Sequence, residues 1–321
     1  MKRQAVTLLV TVLLCVGVVP ATGRALPGSI IVSQLLLYDN PDGCDAAPCG
    51  FHHVWYGQPL GPFSLMPGLG RNESYVDYMA PAVSPTGTQI VYATRAGSLI
   101  LAQLVVSTGS ASAPRVLVSG RTLPDTPTSV AWSPDGGRLV LMEGFRHKGL
   151  WIVNQDGSGL RRVACHCHID VYDSVGVAWS DAGIAFPGEV NGRGRIQVVR
   201  PDGHRLRTIT SPPEGSSDSR PAWSPKGTQL AFTRSDTFGL HGEDGVVYVV
   251  SAPGGPARRI ARGNAPAWSP RGGYLAYVDP PDPDIAARAL HVSHRHAPSR
   301  RVALSVHLAT FGFVDQLIWL P

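Results

Sequence analysis

The chain has 321 residues, of which 43% are hydrophobic and only 16% charged, and it carries a formal net charge of +5. The excess of positive charge is local. Lys2, Arg3 and Arg24 fall in a stretch without acids, so residues 26–321 hold 25 basic and 23 acidic side chains, with no Lys/Arg stripe of the kind that binds nucleic acid.

Residues 1–25 read as a signal peptide. Lys2 and Arg3 form a basic start, Ala5 to Val19 is an uncharged apolar run, and Gly23-Arg24-Ala25 supplies a small-residue cleavage site after Pro20. The run is short for a membrane span, and Leu14 before Cys15 spoils a lipoprotein-type processing site. The expectation is a secreted or cell-envelope protein with no transmembrane span after cleavage; an uncleaved anchor is the alternative. Four cysteines then remain, an even number that fits disulfides in an exported chain. Cys44 and Cys49 flank Asp-Ala-Ala-Pro, a loop short enough to be stapled. Cys165 and Cys167 would close a small strained ring if they paired with each other.

After the signal, Ile30 to Tyr38, Val54 to Tyr56 and Phe63 to Met66 read as strands. A recurring corner follows: Ala82-Val83-Ser84-Pro85, Ala131-Trp132-Ser133-Pro134, Ala178-Trp179-Ser180-Asp181, Ala222-Trp223-Ser224-Pro225 and Ala267-Trp268-Ser269-Pro270. Ile318-Trp319-Leu320-Pro321 is a truncated sixth copy, and from Val83 the intervals are 49, 47, 44, 45 and 51 residues. Such a period marks an array of supersecondary units, none of which buries its apolar faces alone.

One copy shows the unit. Val130 to Ser133 is a short strand, Pro134-Asp135-Gly136-Gly137 a tight turn, and Arg138 to Met142 a second strand; Leu150 to Asn154 and Leu160 to Ala164 complete the set. Inner strands such as Leu139-Val140-Leu141 and Val246 to Val250 are apolar on both alternating sides, as stacked sheets require. The expected fold is all-β, a six-bladed β-propeller of four-stranded antiparallel blades forming one domain over 26–321. The blades fall near 77–124, 125–172, 173–217, 218–263 and 264–312, and the sixth joins 313–321 to 28–76. Pairing of N- and C-terminal strands then closes the ring and leaves no free sheet edge.

These residues resemble the TolB-type, WD40-like propeller repeat: Trp-Ser-Pro-Asp/Lys-Gly, a strand, a variable loop, an Ile-Val-Asn-x-Asp-Gly turn and an Arg-Arg-Val strand. Residues 130–163 match it best, 222–262 and 267–303 follow, and the copy at Trp179 departs with Asp181-Ala182-Gly183. The first copy lacks the Trp, and the terminal one is the most divergent. The resemblance implies the fold over nearly the whole chain after the signal. It implies no single function, because the repeat occurs in transport-associated and enzyme-appended proteins alike. The small α/β domain that precedes the propeller in the family's namesake is not expected here.

In this strand order the second-to-third and fourth-to-first connections share one face of the disc, where binding is expected. Tyr38 to Phe51, Glu143 to Gly149, Cys165 to Ser174, Pro187 to Arg195, Arg234 to Gly245 and Asp279 to Ala289 lie there. Cys165, His166, Cys167 and His168 offer two thiols and two imidazoles to a tetrahedral divalent cation, although an extended segment points them to opposite sides. A disulfide through either cysteine, or plain loop residues, are the other readings. His291, His294 and His296 have metal-like spacing, but alignment on the repeat puts His294 and His296 in a turn of the opposite, exposed face. An acid precedes nearly every first strand, namely Asp77, Asp125, Asp173, Asp218 and Asp315, with Asn264 once in its place. A ring of these carboxylates at the channel mouth would attract a cation or a basic peptide; alternatively each Asp serves its own turn.

No nucleophile elbow, His-Glu-x-x-His, Walker loop or dinucleotide fingerprint is present. The sequence therefore points away from an enzyme and towards a monomeric extracytoplasmic platform for a protein or peptide. The alternatives are a propeller hydrolase or lyase acting on cell-wall or carbohydrate material, metal-assisted in the channel, and a structural metal-binding protein organised around Cys165 to His168.

Overall fold

The structure, a computed structural model, describes residues 29–38, 49–57, 63–65, 78–94, 98–105, 110–123, 127–143, 149–163, 176–236, 245–279, 290–294, 300–301 and 312–320. They form a β-propeller of four-stranded antiparallel blades. Five blades are each built from one continuous stretch of chain. Blade I comprises Tyr78–Val83, Gln89–Thr94, Leu99–Val105 and Ser110–Val118; blade II comprises Pro127–Trp132, Arg138–Glu143, Gly149–Asn154 and Arg161–Arg162. Blade III comprises Ala178–Ser180, Gly183–Glu189, Gly194–Val199 and Arg207–Thr208. Blade IV comprises Ser216–Trp223, Gln229–Asp236, Val246–Ser251 and Arg258–Arg262, and blade V Asn264–Trp268, Tyr274–Val278, Leu290–His294 and Arg300–Arg301. A further four-stranded sheet is assembled from both ends of the chain, in the order Gly312–Trp319, Ile30–Tyr38, Cys49–Gly57, Phe63–Leu65.

The Ser-Pro corner explains why each first strand turns back so sharply. Ser133 N–H donates to the Arg138 carbonyl at 2.8 Å while Arg138 N–H donates to Ser133 Oγ at 2.9 Å, and Gly136 N–H closes the turn on the Ser133 carbonyl at 2.9 Å. The same side-chain bond forms from Gln89 to Ser84, Gln229 to Ser224 and Tyr274 to Ser269, at 3.0–3.1 Å. The turn needs a left-handed residue, which Gly87, Gly136, Gly227 and Gly272 provide at φ 63–72°. Blade III departs, as its sequence does. Its first strand has three residues, and Ser180 Oγ instead accepts Ala182 N–H at 3.2 Å.

The corner tryptophan joins neighbouring blades. Trp132 Nε1 of blade II donates to the Ala82 carbonyl of blade I, and Trp268 Nε1 of blade V to the Ala222 carbonyl of blade IV, both at 3.1 Å. Between blades, both faces of each sheet are apolar. Val140, Met142 and Ile152 meet Ile184 and Phe186; Ile196 and Val198 meet Leu230 and Phe232; Ala231 and Val249 meet Leu275 and Tyr277. The terminal sheet is flanked in the same way. Ile30, Leu317 and Trp319 pack with Ala267, Ala276 and Leu290 of blade V, and Ile31 and Leu320 with Ile90, Tyr92 and Ala102 of blade I. Every blade-to-blade seam is thus built by the same burial of apolar area.

Candidate functional site

Antiparallel order brings the starts of the first and third strands and the ends of the second and fourth to one face. The chemistry among the described residues gathers at this rim. In blade IV, Asp218 at the start of the first strand lies opposite Arg234 near the end of the second. Arg234 donates from Nε to Oδ1 at 2.6 Å and from Nη2 to Oδ2 at 2.9 Å. The Asp218 side chain is fully buried and that of Arg234 is 15% exposed. Thr210, on the connection leaving blade III, accepts the Ile196 N–H at 2.9 Å and donates its hydroxyl to Asp218. Burial pushes the Asp218 carboxyl above the ordinary aspartate value, and the bonds from Arg234 and Thr210 oppose that rise. The Arg234 guanidinium lies 4.8 Å from the ring centroid of Tyr248 and 5.6 Å from that of Phe232. Asp218 therefore ties blade III to blade IV, and its charge is committed to Arg234.

Next to this staple the Gly194 N–H of blade III donates to Ser217 Oγ of blade IV at 3.3 Å. Arg195 follows. Its side chain is half-buried, its Nε is shut off from solvent without a hydrogen-bond partner, and its charge acts on Asp218. Two further polar pairs mark the same rim. In blade V, His291 Nε2 is 2.5 Å from Asp279 Oδ1, and the imidazole stacks on Tyr277 at 5.2 Å and 6°. In blade II, the buried Glu143 accepts the Trp151 Nε1–H at 2.6 Å.

Of the residues singled out from sequence, Asp77, Asp125 and Asp173, the whole Cys165-His166-Cys167-His168 segment, Cys44 and His296 lie outside the described residues. Cys49 opens the Cys49–Gly57 strand, paired with Tyr38. Asp315 lies on Gly312–Trp319 at a register shift, between Val314 opposite Gln34 and Gln316 opposite Ser33. Asn264, standing in for an acid, opens blade V, where its amide would collide with a Cβ on Gly245. His294 ends the third strand opposite Tyr274, at the far end from His291, and is exposed. Among the described residues no group of three or more His, Cys, Asp or Glu could hold a metal ion.

Sequence reasoning missed Arg234, Thr210, Arg195 and the Asp279–His291 pair. The usable signal was the strand register. An acid at the start of a first strand faces whatever ends the second, and in blade IV that is Arg234. Thr210 and Arg195 come from the neighbouring blade, so no linear spacing could have flagged them.

Comparison with known proteins rests on structure: no family model matches the sequence, and no curated relative matches it. TolB from Acinetobacter baumannii superposes with a TM-score of 0.63 at 17% identity, over 92% of this chain and 67% of its own. A nidogen/laminin complex superposes at 0.57 and 12%, over 90% of this chain and 98% of the other, and an oligogalacturonate lyase in complex with manganese at 0.51 and 14%, over 79% and 71%. At these identities the likeness is one of fold. Among the described residues, no helix is long and apolar enough to cross a membrane. What the chain shares with these proteins is the β-propeller.

Proposed function

We propose that the chain is an extracytoplasmic propeller of the TolB-type repeat class, and that it binds a protein or peptide partner on its loop-bearing face. The observation carrying this reading is the division of labour between the disc and its rim. Seams are filled by apolar side chains and by Trp-to-carbonyl bonds, while the buried Glu143, Asp218 and Asn264, with the largely buried Arg234, lie at the strand ends where the second-to-third and fourth-to-first connections emerge. A rigid disc that holds charged side chains beneath its variable connections is what a binding platform needs. The terminal sheet serves as the sixth blade, supported by its packing against both blade I and blade V. Residues 1–25 act as the export signal, residues 26–321 form one domain, and the protein works as a monomer.

The test is capture on immobilised protein from an envelope fraction, with metal analysis of the purified chain alongside. A reproducibly retained protein supports the platform. A stoichiometric, tightly held ion with no retained protein favours the second reading, a metal-assisted hydrolase or lyase on cell-wall or carbohydrate material. That reading draws its support from the fold likeness to a manganese-containing lyase and from the donors Cys165, His166, Cys167 and His168.

A further inference from the structure

We infer that the circumference of the disc, along blades II to IV, binds a linear acidic polysaccharide through arginines of the outermost strands. This surface is separate from the loop-bearing face, so the inference goes beyond the platform reading and does not rest on it. The first strands of successive blades touch one another, and the fourth strand lies at the far edge of each sheet. In blade II that edge is Arg161–Arg162, and in blade III it is Arg207–Thr208, preceded by Arg205. In blade IV it is Arg258–Arg262, with arginine at 258, 259 and 262. All of these arginines are exposed. Along the sequence they fall in separate clusters that make no stripe. Packing of blade II on blade III and of blade III on blade IV sets the clusters side by side around the disc.

The charge on this belt is one-sided. The third-to-fourth turns and fourth strands together, residues 155–162, 200–208 and 252–262, hold eight arginines and two acids, Asp156 and Asp202. The rest of residues 26–321 is left with 17 basic and 21 acidic side chains. Both belt acids are already engaged. Asp156 accepts the N–H and hydroxyl of Ser158, while Asp202 accepts the His204 N–H and pairs with Arg200 at 3.5 Å. Arg205, Arg207, Arg258 and Arg259 make no ion pair. Arg161 donates from Nη2 to the Pro201 carbonyl of blade III at 3.0 Å, a neutral acceptor that fixes the side chain across the seam and leaves its charge uncompensated.

Edge protection does not account for this pattern. A charged residue on an outer strand keeps sheets from pairing edge to edge, and an acid serves that purpose as well as a base. The outer strand most in need of it is Ser110–Val118 of blade I, which has nine residues and carries Val116 at 60% exposure. It holds a single arginine, whereas the two-residue edge of blade II holds two. Positive charge is concentrated where there is least edge to guard.

Shape and chemistry then select the ligand. Uncompensated guanidinium groups of one sign attract a polyanion, and each fork matches the paired oxygens of a carboxylate or a sulfate. The edges of three successive blades face outward in different directions, so a flat bilayer meets one of them at a time, whereas a flexible chain follows all three. Single-stranded nucleic acid is gripped by stacking of its bases on aromatic rings as well as through its phosphates. Residues 155–162, 200–208 and 252–262 contain no Phe, Tyr or Trp. A polymer that carries acid groups on its sugars and has no bases to stack fits such a belt.

The experiment titrates the purified full chain, at about 0.15 M salt, with heparin, polygalacturonate, an oligothymidylate and phosphatidylglycerol vesicles. At least one polysaccharide should bind, and which one does identifies the recognised group as sulfate or carboxylate. Its affinity should fall steeply as salt is raised. The corresponding disaccharide should bind at least tenfold more weakly, because it cannot engage several blades at once. Arg258→Gln/Arg259→Gln and Arg205→Gln/Arg207→Gln should each weaken polymer binding at least fivefold, with melting temperatures unchanged because these side chains are exposed. Lys226→Gln/Arg271→Gln removes the same charge from exposed corner turns and should change affinity less than twofold. Equal weakening by that control pair would reduce the effect to net charge and overturn the surface. Tighter binding of the oligothymidylate or the vesicles than of either polysaccharide would overturn the ligand, and no polysaccharide binding would overturn both. An envelope protein retained equally by the wild type and the belt variants leaves the platform standing whatever the belt does. Polysaccharide binding that depends on the belt, with no protein ever retained, would do the reverse.

Discussion

Two tryptophans of the recurring corner donate to a carbonyl of the preceding blade, and a third does not. Trp223 Nε1 is buried with no acceptor, and the first strand it would reach is the three-residue strand of blade III. Replacing Trp132 or Trp268 with Phe should therefore cost about 1–2 kcal/mol in urea unfolding, the bond to Ala82 or Ala222 being lost from a buried site. Trp223→Phe should cost less than either, because it removes a donor that was dehydrated without return. Equal losses at all three positions would mean that ring volume, not the indole N–H, sets the effect. At the rim, Asp218→Asn leaves the Arg234 guanidinium, only 15% exposed, without its counter-charge. Breaking one side of such a pair costs roughly 3–5 kcal/mol. The double variant Asp218→Asn/Arg234→Met should regain part of that loss, measured as the coupling in a double-mutant cycle.

At the level of elements, the sequence carried the inner strands, Ile30–Tyr38 of the terminal sheet among them, and overran the outer ones. Arg138–Glu143 and Gly149–Asn154 lie within a residue of where the apolar runs put them, because a strand covered on both faces must be apolar throughout. The fourth strand of blade II shrinks to Arg161–Arg162, both exposed, since an outer edge strand has no second neighbour to bury it. The site was less legible. Asp218 stood out as one of a series, yet its meaning came from Arg234 across the ladder and Thr210 across the seam, which spacing does not encode. The turns also carry a pH dependence. Asp135 accepts Gly137 N–H and the Ser133 hydroxyl, Asp156 accepts Ser158 and Asp202 accepts His204 N–H, and these bonds hold all three carboxyls below the ordinary aspartate value. A carboxyl with a depressed folded value contributes stability that is complete above the unfolded value and is lost as pH falls through the folded one. Melting temperature should accordingly fall on acidification below about pH 4. Asp135→Asn/Asp156→Asn/Asp202→Asn should flatten that fall, since an amide oxygen keeps the turn bonds without titrating; an unchanged slope would place the acid sensitivity elsewhere.

For the whole molecule, the junction between the two chain ends is where the architecture is most exposed to failure. Five blades are knitted by covalent continuity as well as by packing, whereas the terminal sheet depends on Gly312–Trp319 pairing with Ile30–Tyr38. That pairing does more than add a strand. Leu317 and Trp319 fill the seam to blade V, Leu320 fills the seam to blade I, and Leu320 N–H donates to the Ser29 carbonyl at 2.7 Å. Deleting 312–321 would remove the apolar contacts on both sides and leave the Ile30–Tyr38 edge with unpaired backbone groups, a template for association. A propeller whose seams are alike unfolds as a unit only while each blade is held by two neighbours. The deletion should therefore broaden thermal unfolding and promote aggregation at micromolar concentration, read by calorimetry and light scattering. Leu320→Ala, which opens a cavity in one seam while leaving the strand pairing in place, should lower stability by about 2–4 kcal/mol and keep a single sharp transition. A sharp, monomeric transition in the deletion as well would show that the five continuous blades stand without the terminal sheet.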